Sequence, residues 1–331
     1  MRRKTVAVLA LLLALSWVFV SFAFAADDSA ASEMKKYIAL AAGLAMSWVD
    51  RKVSARVQSR VGPPLLQPLF DIVKLLGKET VVPRGSSKGL FLLAPMLGLV
   101  SVTLVSTMIW SAMLWPGGGF TADLIVILYF LMLPSIGIII GGFASRNPIA
   151  SLGASREMKL MLADELPFLM AVSVAIIQAE GLIRLDRLVE YQQTHGMIFT
   201  SISGVLAMIV AVITMQAKLT LVPFDMPEAE TELMSGPEVE YSGPPLGVIK
   251  LTRMMMLFTL PMFLVLVFLG GVDFHGWNIL WSILKYVALL VLITLIRNTN
   301  PRLRIDQAVK FLWGPVTVLG IVAIVLAMLG L

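Results

Sequence analysis

VPFDMPEAETELMSGPEVEYSG, residues 222–243, carries six carboxylates: Asp225, Glu228, Glu230, Glu232, Glu238 and Glu240. It lies between two apolar runs, at 197–217 and 249–270. A run of about 20 apolar residues crosses a bilayer as a helix, so the acids belong to a connection between two spans. Pro223 and Pro227 bracket Phe224-Asp225-Met226, which argues against continuous helix there. After Pro227, EAETELM predicts a short helix with Pro at its first position and acids in its first turn. Glu228 and Glu232 then share one face and Glu230 points elsewhere. Ser235-Gly236-Pro237 stops that helix, and Tyr241-Ser242-Gly243-Pro244-Pro245 turns the chain back. Irregular, acid-rich backbone at a membrane is tolerated where it lines a wet cavity.

The rest of the chain supports the membrane reading. Of 331 residues, 58% are hydrophobic and 14% charged, with mean hydropathy +0.88. A soluble surface of this size needs more polar cover. Apolar runs fall at about 37–50, 89–114, 122–144, 158–180, 197–217, 249–270, 277–297 and 308–331. Lipid forces backbone groups to pair internally, and no alternating pattern suggests a barrel. The expectation is an all-α polytopic membrane protein with about eight transmembrane helices. The first run is short and should extend as helix on both sides. Residues 51–79 are no span: Arg56 and Arg60 are spaced to share a helix face that ends at Gly62-Pro63-Pro64. Then Leu65, Leu66, Leu69, Ile72, Val73, Leu75 and Leu76 form an apolar stripe, with Asp71, Lys74 and Lys78 mostly opposite, predicting an amphipathic interfacial helix. Anchoring by basic residues on the membrane surface explains that composition equally simply.

Residues 1–25 have Arg2, Arg3 and Lys4, an apolar core and Ala23-Phe24-Ala25, the layout of a signal peptide or of an uncleaved signal anchor. Residues 26–331 form one membrane domain, with no separate water-soluble domain. Eight spans that start outside put 51–88, 145–157, 218–248 and 298–307 in the cytoplasm. Lys35, Lys36, Arg184 and Arg187 then fall outside and Lys285 within a span. The remaining basic residues beyond the leader lie in or beside cytoplasmic segments, as the positive-inside rule requires. The mature N-terminus and the C-terminus are both expected outside. The net charge of +5 therefore reports topology, not nucleic-acid binding.

The absence of cysteine excludes disulfides, thiolate-held clusters and a thiol nucleophile. His195 and His275 fall in expected short loops and read as solvated rather than as haem ligands. No phosphate loop, metal-ligand spacing, catalytic triad or internal repeat is present. Charge inside the spans is the remaining signal. Glu157 and Glu165, eight residues apart, lie nearly on one helical face, with Asp164 beside the latter. Acids in a span are costly and rarely face lipid. They read either as proton carriers or as an interfacial cluster solvated at the helix end. Lys285, mid-span, wants a carboxylate partner or a water path, or snorkels to the nearer face.

Four stretches carry a resemblance. They are DRKVSARVQSRVGPP at 50–64, SREMKLMLADELP at 155–167, VPFDMPEAETELMSGPEVEYSG at 222–243 and NPRLRIDQAVKFLW at 300–313. In order and content they resemble the membrane subunit that docks the peripheral arm in respiratory complex I and its hydrogenase relatives. GPPLLQPLFDIVKLLGKE and GPEVEYSGPPLGVIKLTR are more similar to the group 4 membrane-bound NiFe hydrogenase branch. Complex I members more often have an Asn-Arg-x-Gly-Pro type motif where this chain has Gln58-Ser59-Arg60-Val61-Gly62-Pro63. The signal-like start also departs from the family.

The resemblance implies a subunit with no catalytic centre and no cofactor of its own, in the cytoplasmic membrane of a prokaryote. A NiFe-type large subunit and iron–sulfur subunits would sit on the cytoplasmic loops and hold the NiFe centre and the clusters. Antiporter-like membrane subunits would flank it. Low-potential electrons would reduce protons, and the energy would drive ions along Asp225, Glu228, Glu230, Glu232 and Glu240 to Asp164 and Glu165, with Lys285 further along. Arg56, Arg60, Arg156, Arg253 and Arg302 would serve docking or countercharge. The alternatives are a quinone-chamber subunit of NADH:quinone oxidoreductase, a passive anchor that moves no ions, and a free-standing transporter.

Overall fold

A computed structural model describes residues 29–114, 123–272 and 278–331. The signal-like segment and His275 lie outside these residues. Among the described residues there is no strand; all that is not helix is turn or irregular chain.

Helices occupy all eight expected stretches. Six are both long and apolar enough to cross a membrane: Lys88–Met113, Asp123–Ala144, Pro148–Gln178, Pro244–Phe268, Asn278–Thr299 and Ile305–Met328. The expected all-α polytopic membrane protein is thus borne out, with six such helices among the described residues. Ile202–Lys218 is apolar but has 17 residues, about 26 Å of helix against a hydrocarbon core of about 30 Å. Ser29–Val57 has 29 residues, ample length, but carries Lys35, Lys36, Arg51, Lys52 and Arg56. It confirms the expected extension of the 37–50 run on both sides.

In chain order we label α1 Ser29–Val57, α2 Gln67–Leu76, α3 Lys88–Leu114, α4 Asp123–Phe130, α5 Leu133–Ala144, α6 Pro148–Gln178 and α7 Leu185–His195. Then follow α8 Ile202–Lys218, α9 Glu230–Leu233, α10 Pro244–Phe268, α11 Asn278–Thr299, α12 Ile305–Phe311 and α13 Thr317–Met328. The last two are joined by a π turn, Leu312–Val316, that contains Pro315. Local chemistry sets several boundaries. The Asn147 side chain caps α6 by accepting from the Ile149 N–H at 2.8 Å, with Pro148 at the first position. Ser201 caps α8 by accepting from the Gly204 N–H.

α10 is the central post. Of its most apolar window 89% is buried, against 28% for Ile305–Met328 at the rim, so α10 meets protein and not lipid. It packs on α1 and α3, while α6 packs on α5, α8 and α13. Close packing carries most of this. The buried Ser106–Thr259 hydroxyl pair at 2.7 Å joins α3 to α10, but such bonds average only about 0.6 kcal/mol in membranes.

Two ends of the bundle differ. At one end the segments 51–87, 145–157, 218–243 and 298–304 contact each other, as the Gln58–Asn298, Asn147–Glu240 and Arg302–Asp225 bonds show. At the far end Gln192 donates to the carbonyls of Leu266 and Val267, and Asp123 accepts from the Leu185 N–H. The four loops expected on one side of the membrane therefore do share one end. α2 forms as expected, but with a divided apolar stripe. Pro68, Ile72 and Leu75 are buried, while Leu69, Phe70, Val73 and Leu76 are exposed. His195 closes α7, a helix the sequence reading did not anticipate.

Candidate functional site

The 222–243 loop is not a solvated connection. Phe224, Met226, Ala229, Leu233 and Tyr241 are buried and pin it to the bundle. Tyr241 stacks on Phe91 at 4.2 Å between ring centroids, and its hydroxyl donates to the Phe91 carbonyl at 2.9 Å. Gly236, at φ +52°, passes so close to the Pro227 carbonyl that a side chain has no room. Pro223 is tied to the last loop by the Leu303 N–H, 3.0 Å from its carbonyl.

This folding distributes the acids by depth. Arg302 donates from two nitrogens to Asp225, at 2.8 and 2.5 Å. Arg253 bridges Glu228 and Glu238, the latter at 2.5 Å, and the Thr220 hydroxyl also donates to Glu228. Glu232 is exposed and meets Arg156 at 2.7 Å. Glu240 accepts from the Asn147 amide at 2.5 Å. The side chain of Glu230 lies outside the described set. The expected helix after Pro227 shrinks to α9, which starts only at Glu230. Glu228 turns in toward Arg253 while Glu232 turns out to Arg156, so the two do not share a face. A charge-assisted bond to a partly buried guanidinium outweighs local helix propensity.

Two neighbouring spaces lie beneath the loop. An outer cleft of about 380 Å³ is lined by eight charged residues, among them Asp50, Arg51, Asp225, Glu228, Lys250 and Arg297, together with seven uncharged ones. Asp50 on α1 is held by Arg297 at 2.9 Å and by the Thr294 hydroxyl at 3.0 Å, both from α11. An inner cavity of about 40 Å³ has mostly apolar walls, among them Pro134, Ile138 and Met256, into which Glu157, Lys218, Glu238, Tyr241 and Thr252 are set. Leu219, Thr220 and Arg253 line both spaces. The inner cavity has the size and polar partners that a buried water needs. Beyond it, Lys218 at the end of α8 reaches Glu165 at 2.6 Å and Asp164 at 3.3 Å, both on α6, with the Phe168 ring 4.9 Å away.

Electrostatics follow depth. Burial pushes the Glu238 carboxyl up to about 7, with Arg253 opposing and Glu228 reinforcing the rise. On the surface, the hydrogen bond from Arg156 holds Glu232 below the ordinary carboxylate range. Burial, reinforced by nearby Glu238, raises the Tyr241 phenol, which keeps it a neutral donor.

The structure thus brings together Asp164, Glu165, Asp225, Glu228, Arg253 and Arg302, with Glu232 and Arg156 at the surface. Lys285 does not join them. It lies toward the far end of the bundle, and its amine donates to the Leu269 carbonyl at 2.7 Å. Arg60 does not continue the helix of Arg56, because α1 ends at Val57 and Ser59 takes φ +57°. Both arginines are exposed at the acidic end and form no ion pair among the described residues. Sequence reasoning left out Glu157, Glu238, Lys218 and the Asp50–Arg297 pair. Glu157 entered only as a face-mate of Glu165, and Glu238 only as one of the six acids of the loop.

Comparisons with known proteins agree with this architecture. The family model described as NADH dehydrogenase matches residues 33–328. The chain is 35% identical over 293 residues to an NADH-quinone oxidoreductase subunit of Geobacillus thermodenitrificans, covering 84% of this chain and 86% of that protein. It is 34% identical over 298 residues to the corresponding NADH-quinone oxidoreductase subunit of Syntrophobacter fumaroxidans, covering 84% and 87%. Among solved structures it is similar to a chain of a membrane-bound sulfane sulfur reductase, an archaeal respiratory membrane complex. The TM-score is 0.78 at 29% identity, over 89% of this chain and 98% of that one. The chain belongs to the NADH dehydrogenase family of complex I membrane subunits.

Proposed function

We propose that this member of the complex I family is the membrane subunit of a prokaryotic respiratory complex, and that it couples electron transfer in a docked hydrophilic arm to ion translocation. The arm is of the NiFe and iron–sulfur type, takes low-potential electrons and passes them to protons. Antiporter-like membrane subunits complete the assembly. One observation carries the reading. Two ion-paired clusters, Glu228–Arg253–Glu238 beside the outer cleft and Lys218–Asp164–Glu165 inside the bundle, meet at one inner cavity that Glu157, Glu238 and Lys218 line together. Ionisable groups inside a membrane protein are costly unless they face its interior and serve a path. A passive anchor has no use for such clusters. The arginines beside them supply countercharge, and the exposed Arg56 and Arg60 offer cations to the arm.

The second reading, quinone reduction, is favoured by the activity in the relatives' names. The outer cleft speaks for the first. A long-tailed quinone wants mostly apolar walls with few polar groups, whereas eight of the fifteen residues around this cleft are charged. The test uses the intact complex, purified through a tag on this chain and reconstituted into vesicles. Hydrogen evolution from a low-potential donor, with ion uptake and without inhibitor-sensitive quinone reduction, is the expected result. Quinone reduction without hydrogen evolution overturns the choice of acceptor, and turnover without ion movement overturns coupling.

A further inference from the structure

The junction between the inner cavity and α6 holds a group that the route as stated does not use. Lys218 is buried, yet it belongs to two surroundings at once: it lines the cavity of Glu157 and Glu238, and its ammonium rests on Asp164 and Glu165. The groups there are unequal in number. Two carboxyl groups meet one ammonium. Asp164 is 1% exposed, and its Oδ1 has no hydrogen-bond partner although Oδ2 faces Lys218. A buried oxygen without a partner is an unfilled place for a proton or for water. Lys218 is also the last residue of α8, followed by Leu219 and by Thr220 at φ +49°, so its flexible stem springs from a helix end.

We propose that Lys218 is the switch of the route, a movable countercharge that alternates between the Asp164–Glu165 pair and the carboxylates of the inner cavity. This rests on the coupling function proposed above. With the ammonium on the pair, its positive charge repels an incoming proton and the route is closed. When the cavity gains negative charge, the ammonium turns to Glu157 and Glu238. A proton from cavity water or acid then bonds to Oδ1 of Asp164 in its place. The proton moves inward as the ammonium's charge moves outward, so the buried site keeps its net charge. Return of the ammonium breaks the O–H bond at Oδ1, and the proton passes to a base of the adjoining antiporter-like subunit. Lysine suits this role. Arginine would grip the two carboxylates with a rigid fork, and a neutral side chain would leave them unpaired.

The test uses the intact complex in vesicles, as wild type, Lys218→Arg, Lys218→Met and Asp164→Asn. Two quantities are read: ions moved per electron transferred, and the carboxyl C=O stretch in infrared difference spectra upon reduction. Lys218→Arg keeps the charge, so it separates a failed switch from a failed assembly. The expected result is a C=O change in wild type that is absent from Asp164→Asn and Lys218→Arg, with the ion ratio of both Lys218 variants at the level of empty vesicles. A full ion ratio in either Lys218 variant, or a C=O change that survives in Asp164→Asn, overturns the switch alone. A wild-type complex that moves no ions overturns the coupling function, and the switch with it.

Discussion

Glu238 shows how far a single residue departs from its local sequence. It is one of six acids in the loop, yet a 3-10 turn at Gly236–Glu238 buries it against Arg253 and lifts its carboxyl from an ordinary 4.5 to about 7. Between those values the folded chain holds a proton that the unfolded chain has lost. This group therefore favours folding less as pH rises from about 4.5 to about 7, and adds no further dependence above that. Glu238→Gln should flatten the fall of the melting temperature across this window, measured by thermal unfolding in detergent; an unchanged slope would show that the carboxyl titrates normally. The resemblance pointed to Asp225 and Arg302 as a path acid and a countercharge, and the structure pairs the two side chains. Sequence alone did not separate Glu238 or Lys218 from their neighbours, because their burial depends on turns and on helices distant in the chain.

At the scale of elements, the apolar runs predicted the helices well, since in lipid length and hydropathy decide. The misses lie where chain meets polar partners. α1 stops at Val57, and α9 begins at Glu230 because Glu228 is drawn to Arg253. Packing between elements was legible only in outline. Gly153 on α6 lets the Gly236–Glu238 turn sit against that helix: a Cβ there would lie 2.6 Å from Pro237 Cδ and 2.8 Å from Gly236 Cα. Gly153→Ala should thus destabilise the fold by about 1–3 kcal/mol, the usual cost of overpacking. Gly89 on α3 meets nothing within 4 Å, so Gly89→Ala should be neutral or stabilising by up to about 1 kcal/mol. Equal melting temperatures for the two variants would mean that the turn does not rest on α6.

For the whole molecule, the alternation of spans and loops, read from the positions of Lys and Arg, placed four loops together, and the structure gathers them at one end. Nothing in that pattern could reveal that their charges continue into the bundle. That depends on α6, about 46 Å long, which carries Glu157 first and then, about two turns further along, Asp164 and Glu165. α8 then ends opposite them with Lys218. The account stands or falls on whether this arrangement carries coupling. The most direct measurement is the number of ions moved per electron by the reconstituted complex, wild type against Glu165→Gln. Unchanged electron transfer with ion movement abolished is the predicted result. Full ion movement in Glu165→Gln, at the wild-type ratio, would contradict it and remove the buried pair from the route.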